Sequence, residues 1–310
     1  MNLLIISAKR FLGYHTLIAA TALTLMLTGC GTEITSNVSS QERLIVNGKR
    51  VLRKDFSQFS PVVGLLMDSG KSFCTATHLG NGYFLSATHC VAQTHKLDKN
   101  DKPTFRVSAL NRIRSSRASE PDEVEFSFGP DIVKTTLLDP LPVTEKSDVL
   151  IIQFKGEFAK ELKNIPVAAV AEEELLESDE SFRKGFGFRQ ITTDRKFTIA
   201  GYGLDQFDTE VASIAHLNTA KVNVVHITKS EFLSSYNNKE EGGAIWEGDS
   251  GGPLFEFVKD KMIVYGVASG FQYDEDELKI SGDLKTGTNK HARIDKKNVR
   301  EWIASTLAKK

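Results

Sequence analysis

The stretch Glu247-Gly248-Asp249-Ser250-Gly251-Gly252-Pro253-Leu254-Phe255 sets a serine inside a glycine-rich turn that runs into an apolar strand. Glycines permit the tight backbone from which a hydroxyl stands clear of its neighbours while nearby N–H groups converge on one point. A hydroxyl is a poor nucleophile at neutral pH and needs a base beside it. His89, in "FLSATHC" at the end of a β-rich run, is the candidate base. The base needs an acid to fix its tautomer. Asp148 in "KSDVLIIQF" heads a strongly apolar strand, where a carboxylate is poorly solvated unless it meets a partner such as an imidazole N–H. His78 is the nearer rival as base, but it lies mid-strand in "CTATHLG" and reads as a packed or surface histidine. His95, His216, His226 and His291 match no catalytic landmark, and no pair of histidines has metal-ligand spacing.

The elements that must position these groups are short runs dense in Val, Ile, Leu and Phe between turn residues: "PVVGLLM", "SFCTATHLG", "GYFLSAT", "DVLIIQF", "KFTIAGYG", "KVNVVHI" and "MIVYGVASGF". They read as strands of an all-β protein. The polar connections at 93–103, 114–124 and 172–197 have mixed charge and no sustained helical period, as solvated surface loops do. In the last segment, "DKKNVREWIASTLAKK", Val299, Trp302, Ile303 and Leu307 fall on one helical face, which predicts an amphipathic closing helix.

The chain has 310 residues, 40% hydrophobic and 25% charged, the balance of a globular protein with a full core. Its 39 Lys and Arg against 40 Asp and Glu give a net charge of −1, so no electrostatic footprint for nucleic acid or an anionic membrane surface is present. Of the 3 cysteines, Cys74 and Cys90 form a candidate pair, either bridged in an oxidising compartment or left as two buried thiols.

At this point the chain resembles the trypsin and chymotrypsin-like serine proteases, from about Ile45 to the C-terminus. "IVNG" looks like the activated N-terminus of that family, "SPVVGLL" like its first barrel strand and "FCTATHLGNGYFLSATHC" like the region that bears the histidine. "DVLIIQF", "IAGYG", "EGDSGGPLF" and "REWI" follow in family order as the aspartate strand, a second-barrel strand, the nucleophile loop and the final helix. The resemblance implies two six-stranded antiparallel β-barrels of the chymotrypsin type with a C-terminal α-helix, and a Cys74–Cys90 bridge. It implies that Ser250 attacks the scissile carbonyl, that His89 takes and returns the proton, and that Asp148 orients His89. The N–H groups of Gly248 and Ser250 would hold the oxyanion, and Ser269 would support the aspartate and border the substrate strand with Gly270 and Phe271.

Six residues before the nucleophile, where the trypsin subgroup places an acid, this chain has Ala244, followed by Ile245. An apolar pocket for uncharged P1 side chains is the expectation. Trp246 stands where many relatives have a cysteine, and Phe271 stands where relatives keep a glycine, narrowing the entrance. Asp274, Glu275, Asp276 and Asp283 in the following loop offer negative charge from another direction.

The N-terminal region carries a different signal. Residues 11–32 contain no Asp, Glu, Lys or Arg and follow Lys9 and Arg10, as in an export signal; the alternative is an uncleaved membrane helix. The run ends in Leu27-Thr28-Gly29-Cys30, which resembles the lipobox of bacterial lipoproteins, so the expectations are lipid on Cys30, removal of residues 1–29 and membrane anchoring. Gly31 lacks the aspartate associated with inner-membrane retention, which favours the outer membrane. Residues 30–44 form a polar tether and pro-segment ahead of a first barrel over 45–170 and a second over 171–310. Family activation implies a cut between Leu44 and Ile45, with the freed amine pairing with Asp249. Leu44 suits the apolar pocket, so self-cleavage and release from the membrane follow as one expected event. The expected molecule is a monomeric serine endopeptidase of polypeptides, made as a zymogen, without metal or organic cofactor. The alternative is a lipid-anchored binding protein on a protease scaffold.

Overall fold

The computed structural model describes residues 45–67, 73–92, 104–109, 112–113, 118–134, 143–175, 196–203, 216–237, 242–273 and 285–309. Cys30, the export signal, the tether, Leu44 and the acidic positions 274–276 and 283 lie outside the described residues.

In the second half, six strands close on themselves. Asn218–Ile227 pairs with Lys196–Gly201, which pairs with Pro253–Val258; Lys261–Gln272, Thr286–Arg293 and Glu231–Asn237 follow, and the last returns to Asn218–Ile227. Every neighbouring pair in this ring is antiparallel. The period-2 pattern explains the closure: Asn218, Ala220, Val222 and Val224 turn inward while Lys221 and Asn223 face water. A bulge between Val224 and His226 then re-aims the chain, so that Ile227 points back into the core.

The first half is a seven-stranded sheet in the order Arg112–Ile113, Phe105–Ala109, Val62–Met67, Phe73–Gly80, Tyr83–Ser86, Leu150–Phe154, Val124–Phe128. Among the described residues, the strand Phe105–Ala109, next to one edge, reaches the opposite edge strand Val124–Phe128 and the segment leading into it through contacts rather than a strand ladder. The rings of Phe105 and Phe126 meet edge to face at 6.2 Å, and the Ser119 N–H donates to the Phe105 carbonyl over 2.8 Å.

The two halves exchange their ends. Lys49–Arg50 pairs with Asn218–Ile227, so the start of the described chain belongs to the second barrel. The C-terminal helix, Lys297–Leu307, buries Val299 and Ile303 in a core shared with Leu79, Leu162 and Ile165 of the first half. The Tyr83 hydroxyl reaches across to the Lys309 carbonyl over 2.7 Å. The crossing segment also differs from a plain surface loop. Ala169–Val170 runs parallel to Lys261–Gln272, and Leu175 is caught by the fully buried Arg293–Asp295 ion pair, whose members take the Leu175 carbonyl (2.6 Å) and N–H (2.7 Å). A further departure is the helix Gly156–Leu162, which buries Phe158 and Leu162 but is too short to show a period in the sequence.

Candidate active site

Adjacent antiparallel strands explain why His89 and Asp148 meet. Leu150 pairs with Ser86, so the residues just before Leu150 and just after Ser86 leave the same end of the sheet. His89 opens a single helical turn there, and Asp148 precedes the strand. The His89 Nδ1 lies 2.7 Å from Asp148 Oδ2, and the His89 backbone N–H donates to Asp148 Oδ1 over 3.0 Å. Ser269, near the end of the long strand Lys261–Gln272, donates its hydroxyl to Asp148 Oδ2 at 2.6 Å. Burial pushes the Asp148 carboxyl up, but the hydrogen bond and charge of His89, with the donors Ser269 and the His89 N–H, outweigh it and hold the group below its ordinary range.

The serine arrives from the other half. Its loop is a tight turn closed by Asp249 N–H to Trp246 O (3.0 Å) and Gly252 N–H to Asp249 O (2.8 Å). Reciprocal bonds tie it to the Ser269 strand: Gly251 N–H to Ala268 O (2.8 Å) and Ala268 N–H to Gly252 O (2.7 Å). Its other side lies on the first sheet, where the Ser250 carbonyl accepts the Thr75 N–H at 2.8 Å and sits 3.7 Å from Cys90 Sγ. Gly251 cannot be replaced here: its φ is +85°, and a Cβ would fall 2.2 Å from both Ser86 Oγ and Thr75 O. The Cys74–Cys90 disulfide is formed and ties the residue after His89 to the residue before Thr75. His89, Asp148 and Ser269 are thus linked by hydrogen bonds at one seam between the halves, and the backbone of the Ser250 loop is docked at the same seam through Thr75, Cys90 and Ala268.

Ala244 and Ile245 are buried, and Phe271 packs its ring on Tyr236 (5.9 Å), Trp246 (6.0 Å) and Tyr273 (5.7 Å). Gly270 stays open, with nothing within 4 Å of where a Cβ would stand. Reading of the sequence missed Asn289, which is fully buried opposite Phe271. Its Oδ1 accepts the Ile245 N–H (2.8 Å), and its Nδ2 donates to Gly243 O (2.9 Å) and Ser234 Oγ (3.1 Å). The sequence held no signal for it, because its partners are distant in the chain and two are backbone groups.

Ile45 is fully buried among Ala220, Ile245 and other second-barrel residues, and Val46 bridges Ala244 through two backbone bonds of 3.1 and 3.0 Å. Asp249 is buried, accepting Trp246 N–H on Oδ2 and Gly203 N–H on Oδ1, each at 2.9 Å. Burial outweighs these two donors and pushes its carboxyl up to about 7. His78 is packed on Phe84 with Nδ1 2.9 Å from the Ile165 carbonyl, away from this seam.

The family model described as Trypsin matches residues 45–283, well over half of the chain. The chain belongs to the trypsin family of serine proteases.

Proposed function

We propose that the protein is a serine endopeptidase in which Ser250 attacks a peptide carbonyl, His89 relays the proton and Asp148 holds His89. The observation that carries this reading is the Asp148 carboxylate, which accepts from His89 twice and from Ser269 once while the Ser250 loop is docked beside Cys90. An imidazole held through Nδ1 keeps Nε2 free for a serine proton. The N–H groups of Gly248 and Ser250 serve the oxyanion. The test is labelling with a fluorophosphonate probe, followed by N-terminal sequencing of the labelled species from membrane and soluble fractions. Labelling of a species beginning at Ile45 supports the reading; silence after verified cleavage there favours a binding protein on a protease scaffold.

The zymogen reading extends this. Cleavage between Leu44 and Ile45 frees an amine for Asp249, whose carboxyl is held protonation-prone until a cation arrives. The buried Ile45 side chain and the Val46–Ala244 bridge support an N-terminus seated beside the loop. Lipid on Cys30 anchors the uncut form to a membrane, outer membrane favoured, and the cut releases the enzyme, because the Cys74–Cys90 bridge leaves no cysteine to retain the pro-segment. Self-cleavage after Leu44 predicts that a purified Ser250→Ala chain stays uncut while the parent chain converts; conversion of the alanine variant, with no other protease present, sinks it.

The substrate side chain enters an apolar pocket floored by Ala244 and Ile245, with Phe271 at its wall. Phe271→Gly should raise kcat/KM for Phe at P1 relative to Ala by about 10-fold, the scale at which a pocket gains or loses apolar contacts. A panel of peptide p-nitroanilides differing only at P1 reads this out, and an unchanged ratio places Phe271 outside the pocket.

A further inference from the structure

Thr75 is fully buried between the two halves, and all of its polar groups are engaged. Its hydroxyl donates to the Gly248 carbonyl (2.8 Å) and accepts the Tyr202 N–H (3.0 Å). Its backbone N–H donates to the Ser250 carbonyl (2.8 Å), and its own carbonyl accepts the Ser86 hydroxyl (2.9 Å). One residue of the first sheet therefore grips the nucleophile loop at two carbonyls, on either side of Asp249.

The peptide planes matter. The N–H groups of Gly248 and Ser250 lie on the planes 247–248 and 249–250. The carbonyls that Thr75 holds lie on the planes 248–249 and 250–251, which interleave with them. The plane 249–250 lies between the two held planes and its own carbonyl accepts the Gly252 N–H (2.8 Å), while the plane 247–248 joins the held plane 248–249 through the φ and ψ of Gly248 alone. Gly248 needs such a pin most. Its φ of +93° is freely reached by glycine, and it has no side chain to pack.

We infer that Thr75 is a positioning residue for the reaction, its hydroxyl locking the Gly248 peptide so that the two N–H groups stay aimed at one oxyanion. The inference rests on the proteolytic reading above. It also couples the halves: Thr75 follows Cys74, whose bridge partner Cys90 follows His89, so a short covalent path joins the base to the residue that hydrogen-bonds the nucleophile loop. Valine preserves the branched shape of Thr75 but leaves the Gly248 carbonyl and the Tyr202 N–H without their partner.

The experiment compares the parent chain, Thr75→Val and Thr75→Ser, each processed to begin at Ile45. It measures kcat and KM on a peptide p-nitroanilide and the inhibition constant of the matching peptide aldehyde, whose adduct carries the oxyanion. The expected result for Thr75→Val is a fall in kcat of about 10- to 100-fold with KM little changed, and a matching loss of aldehyde affinity. Thr75→Ser should recover most of both. A Val variant with unchanged kcat and aldehyde affinity overturns the inference, as does a loss confined to KM. If Val and a second hydroxyl-free variant, Thr75→Ala, both fail to fold while Ser folds, the hydroxyl is a folding element and the positioning role falls. A parent chain that hydrolyses nothing and takes no probe removes the proteolytic reading itself; an active parent with an unaffected Val variant removes only the role of Thr75.

Discussion

Replacing Asp148 with asparagine should lower kcat about 10⁴-fold, the loss that follows when a catalytic imidazole is held in the wrong tautomer. The carboxylate accepts three donors, the Nδ1–H and backbone N–H of His89 and the hydroxyl of Ser269. An asparagine has one acceptor oxygen and one NH₂. Whichever way it turns, a donor faces a donor on one side, and the arrangement that relieves this moves the imidazole proton to Nε2, where it blocks acceptance from Ser250. The fold should persist, because the strand Leu150–Phe154 keeps its pairing on both sides. The check is steady-state kinetics at neutral pH alongside a thermal melt; a loss below about 10-fold with an intact melt would remove Asp148 from the mechanism. The stability contribution of Asp148 has a definite sign: its carboxyl is held below the ordinary range, so the stabilisation is present above about pH 4 and is lost as pH falls through the lowered value.

Asp249 gives the second large effect, and its sign is opposite. In the uncut chain burial raises its carboxyl to about 7 from an ordinary 3.8. Below about pH 4 both folded and unfolded chains are protonated there, and nothing is lost. Between about 4 and 7 the unfolded chain ionises while the fold holds its proton, so stability falls as pH rises, by on the order of 4 kcal/mol once both forms are ionised. Buried His291 works against this, since its folded value of about 3 makes stability rise up to pH 6.5. The substitution Asp249→Asn separates the two. In a Ser250→Ala background kept uncut, urea unfolding near pH 4 should show Asp249→Asn the less stable by about 1–3 kcal/mol, because its NH₂ must face the N–H of Trp246 or Gly203. The difference should shift in favour of asparagine by on the order of 4 kcal/mol as pH rises past about 7. On the activation proposed above, the Ile45 amine would give the carboxylate a partner, and asparagine should then be the destabilising choice above pH 7 as well. A difference that does not vary with pH would contradict the buried state of Asp249, without a cation beside it, in the uncut chain. The geometry leaves room for little else, because a Cβ on Gly201 would lie 2.1 Å from Asp249 Oδ1 and one on Gly203 2.6 Å from its carboxyl carbon.

Much of this site could be read from sequence because its signals are local. A glycine-rich turn around Ser250, a histidine after an apolar run and an aspartate before one each declare themselves within a few residues, and the strands that hold them are dense apolar runs. What stayed illegible depends on pairing at a distance. Thr75 is one threonine in an alternating strand until Gly248, 173 positions away, folds onto it. Arg293 and Asp295, in "ARIDKK", look like solvated charges, yet both are fully buried, because Thr228, Leu175 and each other satisfy them. The family pattern predicts that the first sheet closes as the second does. Among the described residues Phe105–Ala109 and the opposite edge meet instead through side chains and a backbone bond, a distinction that alternation along one strand does not encode.

The exchange of ends between the halves sets an order of events as the chain folds. Residues 45–50 come first among the described residues but find their strand partner only in Asn218–Ile227, about 170 positions later. The first sheet, in turn, lacks the cover of Val299 and Ile303 and the Lys309 carbonyl for Tyr83 until the final turn of chain is made. Neither half can finish folding alone, although amino-terminal units ordinarily fold first. The Ser250 loop leans on a first sheet that itself depends on Val299, Ile303 and Lys309, so removal of the helix Lys297–Leu307 should leave both unfinished.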